Sequence, residues 1–175
     1  MSKTKTAKES LAVMTNLVLP NDSNQLNNMF GGELLARMDR ISAISAKMHS
    51  GSLQVVTASV NHVSFSQPIP LGSTVKLESK VTRAFKTSME VYVDVYIYDY
   101  KKETFTKTND AIYTFVALDE NNKPVAVPEL VPETELEIER YNAALRRKQL
   151  SLVLAKRMKP SEAHELKALF ADSED

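Results

Sequence analysis

From about Gly31 to His49, apolar side chains recur at helical spacing. Leu34, Met38, Ile41, Ser45 and Met48 form one stripe, widened by Leu35, Ala43, Ile44 and Ala46. This predicts a long amphipathic helix, and its many Ala and Ser residues predict close approach to a sheet. After Gly51 the period drops to two. Val55–Phe65 reads as a strand stopped by Pro68 and Pro70. Val75–Val81 alternates, with Lys76, Glu78 and Lys80 outward. Met89–Ile97 alternates with Glu90, Tyr92, Asp94, Tyr96 and Tyr98, as a half-exposed strand does. Phe105–Leu118 is a fourth strand, and Leu11–Leu19, before the helix, is a short one. Short connections make the sheet antiparallel, because parallel crossovers need about a dozen residues or more.

The flanks read differently. Residues 1–9 are polar and are expected to fray. Pro20–Asn28 is a loop rich in Asn, Asp and Ser. Val125–Pro132, directly after Pro124, carries two further prolines and is extended. From Glu133 the pattern is helical again, with Ile138, Tyr141, Leu145 and Leu152 apolar, until Pro160 breaks it. Ser161 is expected to cap a last helix, Glu162–Phe170, before an acidic tail. The division is therefore an α+β domain over residues 1–132 and a helical extension over 133–175.

Composition narrows the function. A chain of 175 residues suits one domain with a real core. Lys plus Arg and Asp plus Glu both total 22, which argues against a nucleic-acid partner. With no cysteine, disulfides, a Cys nucleophile and thiolate metal sites are excluded. His49, His62 and His164 lack ligand spacing, so no metal is expected. No run reaches the ~20 apolar residues of a membrane span, and no leader pattern is apparent. The expected location is the cytoplasm. No Gly-x-Ser-x-Gly motif marks a serine hydrolase.

The most informative stretch runs from Pro20 to Asp39. A turn-prone loop carrying Asn24 leads into Gly31-Gly32 and then the helix. Glycines opening a helix leave backbone N–H groups free for a developing negative charge. Asp39 is an acid beside the apolar stripe and reads as a buried, tuned carboxylate. The alternative is a boundary acid paired with Arg37, Arg40 or Lys47. Thr57, Ser59 and Asn61 fall on one face of their strand by alternation, either lining a site or bonding across strands. Arg83, Lys86, Thr87 and Ser88 occupy a hairpin that can grip phosphate, or is simply polar. Arg146-Arg147-Lys148 is a basic knot on the later helix, either a second phosphate grip or a solvated face.

Six segments in order carry a resemblance. They are Pro20–Asn24, Met29–Gly32, Met38-Asp39, Val55–Val60, Thr87–Val91 and Tyr113–Glu120. Together they resemble the hotdog-fold acyl-CoA thioesterases, specifically the bacterial acyl-CoA hydrolases related to the brain-type cytosolic enzyme. The resemblance runs from about Leu11 to Pro132. It implies a long helix wrapped by an antiparallel sheet, and hydrolysis of acyl-CoA to free acid and coenzyme A without a cofactor. It also implies dimers with active sites at the interface, commonly assembled as trimers of dimers. Asn24 matches the family's catalytic amide, Asp39 its catalytic acid and Thr57 a threonine beside that acid. The two catalytic groups are expected to meet across the dimer interface. The chain departs from the pattern at Gln25–Asn28, where a His or Gly is frequent, and at Asn61, where an Asp is common. Gly32 would supply the oxyanion-binding amide. Arg83, Lys86, Thr87 and Ser88, with Arg146 and Arg147, would hold coenzyme A. Two other readings stand beside this one. A hotdog hydratase would need an Asp–His pair, for which His49 and His62 are the candidates. A non-catalytic acyl-CoA sensor would need a DNA-binding domain, and too few residues precede the first strand.

Overall fold

The computed structural model describes residues 4–171. Strand β1 (Thr4–Thr6) and a 3₁₀ turn (Ala7–Ser10) precede β2 (Ala12–Leu17). A second 3₁₀ turn (Pro20–Asp22) leads to α1 (Gly31–Ser50). Four long strands follow: β3 (Gln54–Ser64), β4 (Thr74–Ala84), β5 (Ser88–Asp99) and β6 (Thr104–Leu118). Short β7 (Glu129–Val131) precedes α2 (Glu135–Leu154) and α3 (His164–Ala171).

The main sheet has the order β2-β4-β5-β6-β3, and every pairing is antiparallel. Helix α1 packs on all five strands. Leu34, Met38 and Ile41 on the helix and Leu77, Val91, Val93, Tyr113 and Phe115 on the sheet are all buried. Small residues let the layers touch. The Ser45 hydroxyl donates to the Ser79 carbonyl at 3.0 Å, and Ser79 Oγ donates to the Ile41 carbonyl at 3.0 Å. Gly51 ends the helix in the left-handed region, φ 71°, as an αL cap.

Several expectations need correction. Residues 4–9 do not fray. Strand β1 pairs in parallel with β7, and Ala7 and Ser10 are buried. Residues 1–3, and the acidic tail from 172, lie outside the described residues. Met48 and Ile44 are exposed, while Arg37 and His49 are buried in their place. The outer face of β5 is not half-exposed at Glu90 and Asp94, because β5 is the central strand and both neighbours cover it. Thr82 Oγ1 donates to Glu90 at 2.7 Å, and Lys107 pairs with Asp94 at 2.7 Å.

Contacts divide the chain into Met1–Val131 and Pro132–Asp175. Within the second unit Thr134 caps α2 by accepting from the Glu137 N–H, in a capping box. Ser161 caps no helix. It sits inside a 3₁₀ turn (Pro160–Glu162), and α3 starts at His164. The Leu166 N–H donates to Gln149 Oε1 at 2.9 Å, tying α3 to α2. No helix among the described residues is long and apolar enough to cross a membrane.

Candidate active site

The N-terminal half of α1 carries most of the predicted groups. The first helical bond runs from the Leu34 N–H to the Phe30 carbonyl at 3.0 Å. Among the described residues, the N–H groups of Gly31, Gly32 and Glu33 find no acceptor. This is the open positive end that a helix offers to an anion. Gly32 is exposed with open space around its α-carbon, whereas a side chain at Gly31 would lie 3.3 Å from the Phe65 ring.

Asn24 stands beside this end. Its Oδ1 accepts from the Leu26 N–H at 2.9 Å and the Asn28 N–H at 3.2 Å. The carboxamide oxygen thus holds the loop, and its Nδ2 is left without a partner among the described residues. Asn24, Asn28, Gln67 and Asn109 share a cavity of about 300 Å³ with Met29, Gly31, Leu34 and Phe65.

Asp39 lies two turns further along α1. It is half-buried rather than sealed, and it forms no ion pair with Arg37, Arg40 or Lys47. Thr57 Oγ1 donates to Asp39 Oδ1 at 2.7 Å, bridging helix to sheet. Tyr113 lies nearby. Burial first, and then the Asp39 charge, push its phenol up to about 12, and its hydroxyl donates to the Leu35 carbonyl at 3.1 Å. Tyr113 is therefore a neutral wall of the carboxylate's surroundings.

The expectation that Thr57, Ser59 and Asn61 share a face fails. Thr57 pairs with Phe115, but Ser59 pairs with Thr114, so Ala58 is a bulge. One extra residue reverses the alternation. Thr57 faces α1, while Ser59, on the other face, donates to Asn61 Oδ1, and Asn61, itself at a second bulge, donates from Nδ2 to Thr114 Oγ1. His62 pairs with Ile112, on that far face, and His49 is ten residues along α1 from Asp39, roughly 15 Å. The Asp–His pair of a hydratase is thus not assembled within the chain.

An unanticipated element fixes the loop. Arg37 Nη2 pairs with Asp22 Oδ2 at 2.8 Å, and Arg37 Nε pairs with Glu33 Oε1 at 3.0 Å. Asp22 also accepts the Leu19 N–H at 2.8 Å, and its carbonyl accepts the Phe30 N–H at 2.8 Å. The Leu19 bond and the Arg37 guanidinium hold the Asp22 carboxyl below its usual range, against the opposing effect of burial. An Arg on the apolar side of a helix was the available signal. Its partner, fifteen positions away, was not legible.

The basic clusters are separate features. In the β4–β5 hairpin the Arg83 guanidinium lies 5.9 Å from the Phe85 ring centroid, Lys86 is exposed, Thr87 half-buried and Ser88 buried. The Thr87 carbonyl accepts from the Ala117 N–H at 3.1 Å. On α2, Arg146, Arg147 and Lys148 are half-buried rather than fully solvated. Arg147 donates to the Arg140 carbonyl, and burial, then Arg157, lower the Lys148 ammonium. Among the described residues no three His, Asp or Glu side chains converge as metal ligands.

Comparison with known proteins bears on this arrangement. Residues 26–103 match the Thioesterase superfamily. An uncharacterized acyl-CoA thioester hydrolase of Bacillus subtilis, YkhA, is 44% identical over 149 residues, 83% of this chain and 84% of that one. The acyl-CoA hydrolase of Staphylococcus aureus, solved with butyryl coenzyme A, coenzyme A and coenzyme A disulfide, superposes with a TM-score of 0.81. It is 36% identical over 94% of this chain and 99% of that one. That enzyme has also been solved with alanine at an Asn, at an Asp and at a Thr. Its Asn and Asp lie fifteen positions apart, the interval from Asn24 to Asp39. A hexameric acyl-CoA thioesterase gives a TM-score of 0.83 at 39% identity, over 87% of this chain and 97% of that one. With a long helix across a five-stranded antiparallel sheet and near full-length likeness to these enzymes, the chain belongs to the hotdog-fold acyl-CoA thioester hydrolases.

Proposed function

We propose that the protein hydrolyses acyl-CoA to a free acid and coenzyme A at a site built from Asn24, Gly32, Asp39 and Thr57. The observation that carries this reading is the pairing on one helix of open N-terminal amides and a half-exposed carboxylate oriented by Thr57. The thioester carbonyl points at the Gly32 N–H, which stabilises the developing oxyanion. One such donor contributes roughly 3–4 kcal/mol in the transition state. Asp39 removes a proton from water that attacks the carbonyl, or attacks it directly to give a mixed anhydride. Asn24 Nδ2 holds the water or the thioester. Coenzyme A leaves as a thiolate, whose conjugate thiol has a pKa of about 8.5, so no acid catalyst or cofactor is needed.

Asn24 lines a cavity that Asp39 and Thr57 do not, which supports a site completed between protomers. Strand β3 supports the same reading: it is a sheet edge with Val56 and Val60 exposed. The proposed assembly is a dimer paired along β3, within a trimer of dimers. The catalytic domain is residues 1–132, with 133–175 as an extension. The Arg83–Lys86 hairpin, aided by Thr87, grips the nucleotide phosphates. Ser88 is too buried to contribute, and Arg146 and Arg147 form the alternative grip.

Release of coenzyme A, followed with a thiol-detecting dye over acyl chains of two to eighteen carbons, tests the activity. Mixing inactive Asn24→Ala and Asp39→Ala proteins tests the shared site. A mixed dimer keeps one intact site, so activity returns on subunit exchange. No return after demonstrated exchange places both groups in one chain's site.

A further inference from the structure

The open end of α1 carries an acid of its own. Gly31, Gly32 and Glu33 are the first three helical residues. A Glu at the third position ordinarily folds back to cap the helix entry, and any carboxylate in the first turn is drawn to that positive end. Here the capping arrangement is absent. Among the described residues no side chain caps the entry, and the N–H that a third-position Glu usually accepts, that of Phe30, already donates to the Asp22 carbonyl at 2.8 Å. The Glu33 carboxylate points along the helix instead, where Oε1 accepts from Arg37 Nε at 3.0 Å. Arg37 is itself pinned from the loop side: its Nη2 meets Asp22 Oδ2 at 2.8 Å, and its side chain is only 10% exposed.

Stability alone gives a weak reason for an Arg at this buried position. Its Nη1 is sealed without a partner among the described residues, and a buried ion pair often contributes no more to stability than apolar packing would. The pair matters more to the chemistry. An oxyanion at the Gly32 N–H competes with any carboxylate that can reach the same amides, and the nearest along the chain is that of Glu33. We propose that Arg37 is a positioning residue: it draws the Glu33 carboxylate away from the helix end, so the Gly31 and Gly32 amides stay open to the thioester oxygen. This proposal rests on the hydrolase reading above.

Two replacements of Glu33 test it without disturbing Arg37 or Asp22. Glu33→Asp keeps the charge but is one methylene shorter, and the guanidinium that Asp22 holds in place cannot follow it. The freed carboxylate caps the helix end, and kcat for acyl-CoA falls about tenfold or more with KM little changed, as for an interaction made only in the transition state. Glu33→Ala removes the competitor and keeps kcat near that of the parent. An ion pair that served the fold alone would make the alanine replacement at least as damaging as the aspartate. Arg37→Met frees Glu33 by the other route: it lowers kcat, and adding Glu33→Ala raises kcat again several-fold, although the same change brings no gain in the parent. Urea midpoints establish which variants fold, and if Arg37→Met does not, the two Glu33 proteins decide. Equal kcat in Glu33→Asp and Glu33→Ala, or no gain from Glu33→Ala in a folded Arg37→Met protein, overturns the role of Arg37 and leaves the hydrolase reading standing. If the unmodified protein releases no coenzyme A from any acyl-CoA, the hydrolase reading itself fails.

Discussion

The two halves of α1 obey opposite rules. In the C-terminal half, Ser42, Ser45, Ala46 and His49 are fully buried, and serine hydroxyls bond across to the sheet. Its unpartnered atoms, Ser42 Oγ and His49 Nδ1, are sealed, so they cost stability without meeting a ligand. In the N-terminal half, among the described residues, the reachable polar groups are the N–H groups of Gly31 and Gly32, which find no acceptor, and the half-exposed Asp39 carboxylate held by Thr57, while Arg37 Nη1 is buried there without a partner. One helix thus anchors the fold at one end and carries the proposed chemistry at the other, where polar groups stay reachable.

Replacing Asp39 gives the largest separation between the halves. Asp39→Asn keeps the shape and the Thr57 contact but removes the proposed base or nucleophile. Turnover should fall at least ~10²-fold, with a urea midpoint close to that of the parent. A folded Asp39→Asn protein with near-normal coenzyme A release would refute the assignment.

Asp22→Ala should weaken the frame of the site itself. It leaves the Arg37 guanidinium partly buried with only Glu33, and frees the Leu19 N–H. A loss of about 2–3 kcal/mol is expected, as for stranding a charged group. Because the same turn positions Asn24, kcat should fall beyond what unfolding explains. Denaturation curves and active-fraction-corrected kinetics separate the two. A stability loss with unchanged kcat would confine the ion pair to folding.

The smallest effect concerns the C-terminal half. His49 Nε2 donates to the Pro128 carbonyl at 2.9 Å, and Nδ1 is buried without a partner. Burial holds the imidazole below its ordinary pKa of 6.5, reinforced by Lys5 and opposed by the Pro128 bond and Glu9. A depressed histidine binds protons more readily when unfolded. Its contribution is therefore complete above the unfolded pKa and is lost as pH falls through the folded one. Thermal midpoints should decline below about pH 6.5, and a His49→Gln protein should start lower and decline less. Equal slopes in both proteins would assign the acid sensitivity to other groups.

How much of this was legible follows from the range of each interaction. Helix α1 and the four long strands were readable because a 3.6 or 2.0 period repeats over many residues, and burial enforces it locally. The stretch from Asn24 through Gly32 to Asp39 was readable because turn, helix entry and acid are close in sequence, and six ordered segments named the family. Strand β1 was missed because three polar residues carry no period, and only β7, more than a hundred residues on, gives them a partner. Ser59 and Asn61 were misplaced because bulges leave no mark in an alternating pattern: one at Ala58 turns Ser59 over, and a second at Asn61 restores the phase by Val63. Arg37 and His49 were not seen as buried because apolar spacing predicts which face turns inward. It does not predict which polar residue finds Asp22 or Pro128 waiting there. Local periodicity and contiguous motifs are enough to give the elements, their order and the family. The faces of β3, the Arg37–Asp22 tie and the approach of Phe65 to Gly31 come from partners that folding brings together, so no local pattern announces them.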